Sequence, residues 1–143
     1  MAEVKADLQK AIDSVARWLA VRDHSRYELQ VKLAQRYEED IAAAALMQAE
    51  EHGWLADDAE IAERLVNSLN RRNKSRRYIA DQLRKRRLPL VNVDGEQEIQ
   101  KVLDLLIKKF GSVEAIKRED WPRAVRYLKY RGFEDRWIRK VLP

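Results

Sequence analysis

Three times in 143 residues the chain spells a leucine, an arginine three positions on, a break, and then two apolar positions four apart. Leu19, Arg22, Leu29 and Leu33 form the first copy. Leu69, Arg72, Ile79 and Leu83 repeat it 50 residues later, and Leu128, Arg131, Ile138 and Leu142 repeat it 109 residues after the first. At each break a new helix can start. Ser25 and Ser75 occupy the cap position, where a hydroxyl accepts from a free helix amide. Glu28 completes a capping box with Ser25, and Arg26 of the first copy matches Arg76 of the second. The third copy puts Glu134 at the cap position, after Gly132-Phe133. A unit of this size buries its apolar face against its neighbours, so the recurrence restricts the fold to stacked helical units.

The intervening sequence is also helical in pattern. Val4, Leu8, Ala11, Ile12, Val15 and Leu19 follow helical spacing to about Val21. A third helix is predicted over 38–52, with Ile41, Ala44, Ala45 and Ala49 inward and Gly53 ending it. Trp54 and Leu55 are expected to pack down as an anchor. Asp57 or Asp58 caps a fourth helix over 58–72, and a fifth covers 76–87. Leu88-Pro89 stops that helix, and Val91–Gly95 reads as a loop. Another helix from Glu96 carries Ile99, Val102, Leu103, Leu106, Ile107 and Phe110 on one face, closed by Gly111. Asp120-Trp121-Pro122 starts the next, and the last begins at Glu134. With four Gly and three Pro, an all-α fold is expected. The predicted architecture is a curved, elongated, right-angled stack of repeated helix–turn–helix units. The repeats are predicted at 1–55, 56–95 (third helix shortened into the Val91–Gly95 region) and 96–143.

Charge is concentrated. Residues 71–87 hold nine Lys and Arg against one acid, Asp81, whereas the other residues hold 20 basic and 23 acidic side chains. A local cationic field of this kind fits a polyanionic partner. On the predicted 76–87 helix, roughly 18 Å long, Ile79 and Leu83 face inward and the cations cover the rest. Tyr78, set among arginines, is the best candidate to stack on a base.

Other chemistries lack their residues. No cysteine is present, so disulfides and thiolate metal sites are excluded. Four scattered glycines make no phosphate loop, and His24 and His52 have no partner at i+3 or i+4. No catalytic centre, cofactor or metal is expected. Glu38-Glu39 and Asp57-Asp58 suit helix starts, but Glu50-Glu51 fall at a helix C-terminus, where the dipole disfavours them, and could face a basic partner. No apolar run approaches the ~20 residues of a membrane span, and the start, MAEVKADLQKAIDS, lacks a signal-peptide core. A soluble, cytoplasmic protein is expected.

Ala20 to Ser25 with Glu28-Leu29 and Lys32-Leu33, His52 to Leu55 with Asp57-Asp58, Arg76 to Leu83, Lys109-Phe110-Gly111, and Tyr130 to Phe133 follow one another over nearly the whole chain. In this order they resemble the RecX family, bacterial modulators of the RecA recombinase. Ile61 stands where the family usually has an aromatic residue, and Asn73-Lys74-Ser75 where it favours a glycine-containing turn. The resemblance implies three three-helix repeats, binding along the RecA–DNA filament groove, inhibition of ATP hydrolysis and strand exchange, and no enzymatic activity. It would place the protein in recombination, DNA repair and the SOS response.

The candidate contacts are Arg71, Arg72, Lys74, Arg76, Arg77, Tyr78, Arg84, Lys85, Arg86 and Arg87, with Arg22, Arg26, Lys32 and Arg131 in matching segments. The expected partners are the RecA filament and single-stranded DNA, with double-stranded DNA as a second candidate, no membrane, and the protein a monomer. The paired change Arg76→Glu and Arg77→Glu is expected to abolish inhibition and leave helicity intact. The alternative is an independent DNA-binding protein, sequence-nonspecific or of helix-turn-helix type, which would use one reading helix and a dimer rather than three similar units. A membrane-surface reading has only Ile79, Ala80, Leu83 and Leu88 as its apolar face, too thin for strong insertion.

Overall fold

The computed structural model describes residues 2–143. Among them are eight α-helices and no strand: α1 (Ala2–Val21), α2 (Arg26–Ala34), α3 (Glu39–Glu51), α4 (Asp58–Arg71), α5 (Arg76–Lys85), α6 (Gly95–Phe110), α7 (Trp121–Tyr130) and α8 (Asp135–Val141). A short 3₁₀ turn, Arg118–Asp120, leads into α7. The all-α expectation holds, and no described helix is long and apolar enough to cross a membrane.

The repeated apolar positions are core positions. Leu29, Leu33, Ile79, Leu83, Leu128 and Ile138 are fully buried, and Leu142 and Leu69 nearly so. Each such side chain contributes about 1.5–3 kcal/mol relative to exposure. The junctions recur down to backbone hydrogen bonds. After α4, Asn73 N–H donates to Asn70 O and Lys74 N–H to Leu69 O; after α7, Gly132 N–H donates to Lys129 O and Phe133 N–H to Leu128 O. Closing a helix in this way needs a left-handed residue, supplied by Asn73 (φ +56°) and Gly132 (φ +92°). Asn tolerates that conformation without a glycine. The first junction departs: Asp23, at the equivalent place, is not left-handed.

The chain forms two compact units. The first takes the sequence up to Ala62 together with Arg84–Pro89. Its core joins Ala11, Ile12 and Val15 of α1 to Leu29 and Leu33 of α2 and Ile41, Ala45, Leu46 and Ala49 of α3. Ser25 caps α2 with the predicted box, accepting from Glu28 N–H while Glu28 Oε1 accepts from Ser25 N–H. Ser25 Oγ also donates to Arg86 O at 2.5 Å.

The second unit takes Glu63–Leu83 and Leu90–Pro143. Its core joins Val102, Leu105 and Leu106 of α6 to Ile116, Ala124, Leu128, Phe133, Ile138 and Leu142. Residues 91–94 form no helix, and the 16-residue α6 follows. Gly95 opens α6 against the Trp137 indole, with no room for a Cβ.

Four local expectations change. α5 ends at Lys85, and Arg87 turns left-handed (φ +50°), so Arg86 and Arg87 lie in a turn. Trp54 is exposed and stacks on His52; Leu55 alone packs against the first core. Val4 is exposed on the outer end of α1. Ile107 is 48% exposed, because α6 turns Leu105 inward instead.

Candidate functional site

In the first unit the cations are largely engaged. Arg22 donates to Glu28 Oε2 at 2.6 Å, and Arg86 Nε lies 4.0 Å from Oε1 of the same carboxylate. Burial pushes the Glu28 carboxyl up, but the Arg22 guanidinium and the Ser25 amide outweigh it and hold the group below its ordinary value. Arg26 pairs with Glu50, and its backbone N–H donates to Asp58 Oδ1 at 3.4 Å. Arg87 lies over the Tyr27 ring at 4.1 Å. Arg84 and Lys85 are exposed.

Lys32 serves a buried histidine. A carbonyl can only accept, so His24 Nδ1 carries the proton given to Arg22 O at 3.0 Å. The Nε2 lone pair then accepts from Lys32 Nζ at 2.8 Å. Burial, together with the Arg22 and Lys32 charges, holds His24 below its ordinary value and outweighs its bond to the carbonyl. Lys32 and Arg36 also lie over Trp18, at 5.3 and 5.7 Å.

In the second unit Arg76 is committed internally. Its Nε donates to Glu134 Oε1 at 2.6 Å, its guanidinium lies 5.4 Å from the Trp137 ring, and its backbone N–H donates to Glu98 Oε2 at 3.1 Å. The Arg76 bond holds the Glu134 carboxyl below its ordinary value. Glu134 is therefore spent on Arg76 rather than on capping α8, where it makes no side-chain cap bond. Arg76→Glu, one half of the paired change expected to leave helicity intact, removes the guanidinium that holds Glu134 and sets a second carboxylate beside it. Lys74 lies over Tyr78 at 5.1 Å, and Arg131 over Tyr127 at 4.9 Å.

Four candidates remain exposed with no carboxylate partner among the described residues: Arg71, Arg72 and Arg77 in the second unit and Lys85 in the first. Local sequence reasoning missed a second cationic stretch. Residues 108–131 carry eight Lys and Arg against three acids. There Lys109 covers Tyr127 at 4.0 Å, Arg118 covers Trp121 at 5.3 Å, and Arg123 covers Phe110 at 5.4 Å. Tyr130 is 94% exposed, against 38% for Tyr78, and is the freer stacking surface. Its signal in the sequence was the Lys129-Tyr130-Arg131 triplet. No group of three or more His, Asp or Glu among the described residues is placed to hold a metal ion.

A model of the first three-helix domain of RecX matches residues 11–46. The regulatory protein RecX of Vibrio vulnificus is 30% identical over 137 residues, covering 91% of this chain and 89% of that protein. The regulatory protein RecX of Chlorobium phaeobacteroides is 28% identical, covering 95% and 93%. The crystal structure of RecX from Lactobacillus salivarius shares the fold with a TM-score of 0.72 at 17% identity, covering 96% of both chains.

Proposed function

We propose that this chain, which belongs to the RecX family of regulatory proteins, inhibits the RecA recombinase without being an enzyme itself, binding the RecA–DNA filament and suppressing ATP hydrolysis and strand exchange. The observation that carries this reading is the exposed cations of the second unit, Arg71 at the end of α4, Arg72 in the turn after it and Arg77 on α5, and, in the first unit, Lys85, none with a carboxylate among the described residues to neutralise it. Such side chains meet phosphates or acidic protein surfaces at little desolvation cost. Lys74, Tyr78, Arg84, Arg87 and Arg131 are secondary contacts in this reading. Arg22, Arg26, Lys32, Arg76 and Arg86 first hold the local fold. The cores that join α1–α3 and α6–α8 support repeats at 1–55 and 96–143, with 56–95 between them.

The test is ATP hydrolysis by the cognate RecA on single-stranded DNA while this protein is titrated in. Inhibition is expected. Unchanged hydrolysis together with tight binding to naked DNA would replace this reading with an independent DNA-binding protein.

A further inference from the structure

We propose that the groove between α2 and α3 in the first unit docks an amphipathic helix with basic ends, carried by a protein partner. The groove encloses about 630 Å³. One wall is the α3 stripe Glu39, Ala42, Ala43, Leu46, Met47 and Glu50; the other is Arg26, Gln30 and Ala34 of α2. Glu39 and Glu50 lie eleven positions apart on the helix, roughly 16 Å, so the groove matches an occupant of about three turns. Alanines on both walls let a third backbone approach closely, and Met47, 59% exposed, offers an adaptable apolar contact.

Charge selects the occupant. Residues 38–51 contain five acids and no Lys or Arg. Glu38, Glu39 and Asp40 suit the N-terminal end of α3, but Glu50 and Glu51 oppose the dipole at its other end. Arg26, the one basic residue lining the groove among the described residues, pairs with Glu50. Beyond Arg26 the surface continues into a depression that adds Asp57 and Asp58. Both ends of an apolar groove are therefore negative. Nucleic acid and anionic lipid are repelled there, whereas a helix with Lys or Arg about eleven residues apart is complementary at both ends. The inference does not depend on RecA being the partner.

The test titrates the nitrogen-15-labelled full chain with two synthetic helical peptides of about fourteen residues. They share a Leu/Ala stripe; one has Lys at both ends and the other Glu. The basic peptide is expected to shift resonances of α2 and α3 and to bind about tenfold or more tightly than its acidic twin, a difference of about 1.4 kcal/mol. Ala43→Arg and, separately, Met47→Lys, both on exposed positions, should weaken it about tenfold with unchanged circular dichroism, and Glu39→Lys should narrow the preference for the basic peptide. Equal affinity for the two peptides, no binding of the basic one, shifts confined to other helices, or indifference to both groove variants would overturn the proposal. So would sedimentation showing that this face is occupied by a second copy of the chain.

Discussion

Glu98 of α6 caps α5 at Arg76, accepting its backbone N–H at 3.1 Å from 22 residues away. The carboxylate is fully buried, and its other oxygen accepts from Lys101 Nζ at 2.7 Å, itself only 4% exposed. In the first repeat the equivalent amide, Arg26 N–H, donates to Asp58 Oδ1 at 3.4 Å, a carboxylate also carried by a helix distant in sequence. Glu28 serves a different amide, that of the cap residue Ser25, and its equivalent in the second repeat is Tyr78, which has no carboxylate to offer.

Glu98→Ala should therefore destabilise strongly, by about 3–5 kcal/mol, because it leaves a buried ammonium uncompensated and an amide uncapped. Urea denaturation followed by circular dichroism measures it. The double change with Lys101→Met should recover much of the loss. No recovery would show that the cap on Arg76, rather than the stranded lysine, carries the cost.

Arg77→Glu with Lys85→Glu should leave helicity and melting temperature near wild type, since neither side chain has a carboxylate partner among the described residues to lose. Polyanion affinity should fall, and the slope of log K against log salt on single-stranded DNA should shrink by about 0.7 for each phosphate no longer neutralised. Arg76→Ala should show the opposite pattern, with stability falling first. If both sets of variants weaken binding equally at unchanged stability, the division of cations into exposed and committed is wrong.

His24 gives the fold a pH dependence of definite sign. Its folded value lies below the ordinary one, so the unfolded chain takes up a proton more readily. The contribution is complete above about pH 6.5 and is lost as the pH falls from there through the lowered folded value. Glu28 and Glu134, also lowered, add losses only further down, below the ordinary carboxylate value. The urea midpoint should drop between pH 7.5 and 5.5, and the drop should shrink in His24→Gln. A midpoint that rises on acidification would contradict the Lys32–His24 bond.

Ser25→Ala should cost about 1–2 kcal/mol, more than Ser75→Ala. Both caps accept an amide, Glu28 N–H and Tyr78 N–H, but Ser25 also donates to Arg86 O. Equal losses in thermal melts would make the Arg86 bond energetically silent.

The periodic features were legible in sequence. Leu29, Ile79 and Ile138 announced the core by recurring, and Ser25 with Glu28 announced its box by local spacing alone. What stayed hidden was set by neighbours distant in sequence. Glu98 and Lys101 read as an ordinary i,i+3 surface pair until packing buries them. Arg76 reads like Arg77, and only Glu134 and Trp137, some sixty residues on, separate the two. Trp54 misled because a large apolar side chain usually packs inward, whereas here His52 supplies a surface partner.

Neither compact unit is one uninterrupted stretch of chain. The turn that holds Arg86, the acceptor for Ser25, is encoded after the helix that begins the second unit. A gene fragment ending at residue 62 would omit the strap that closes its own product. A fragment beginning at 63 would carry that strap with nothing to fasten. A crossover between related genes at residue 62 would therefore divide the first unit from its own strap.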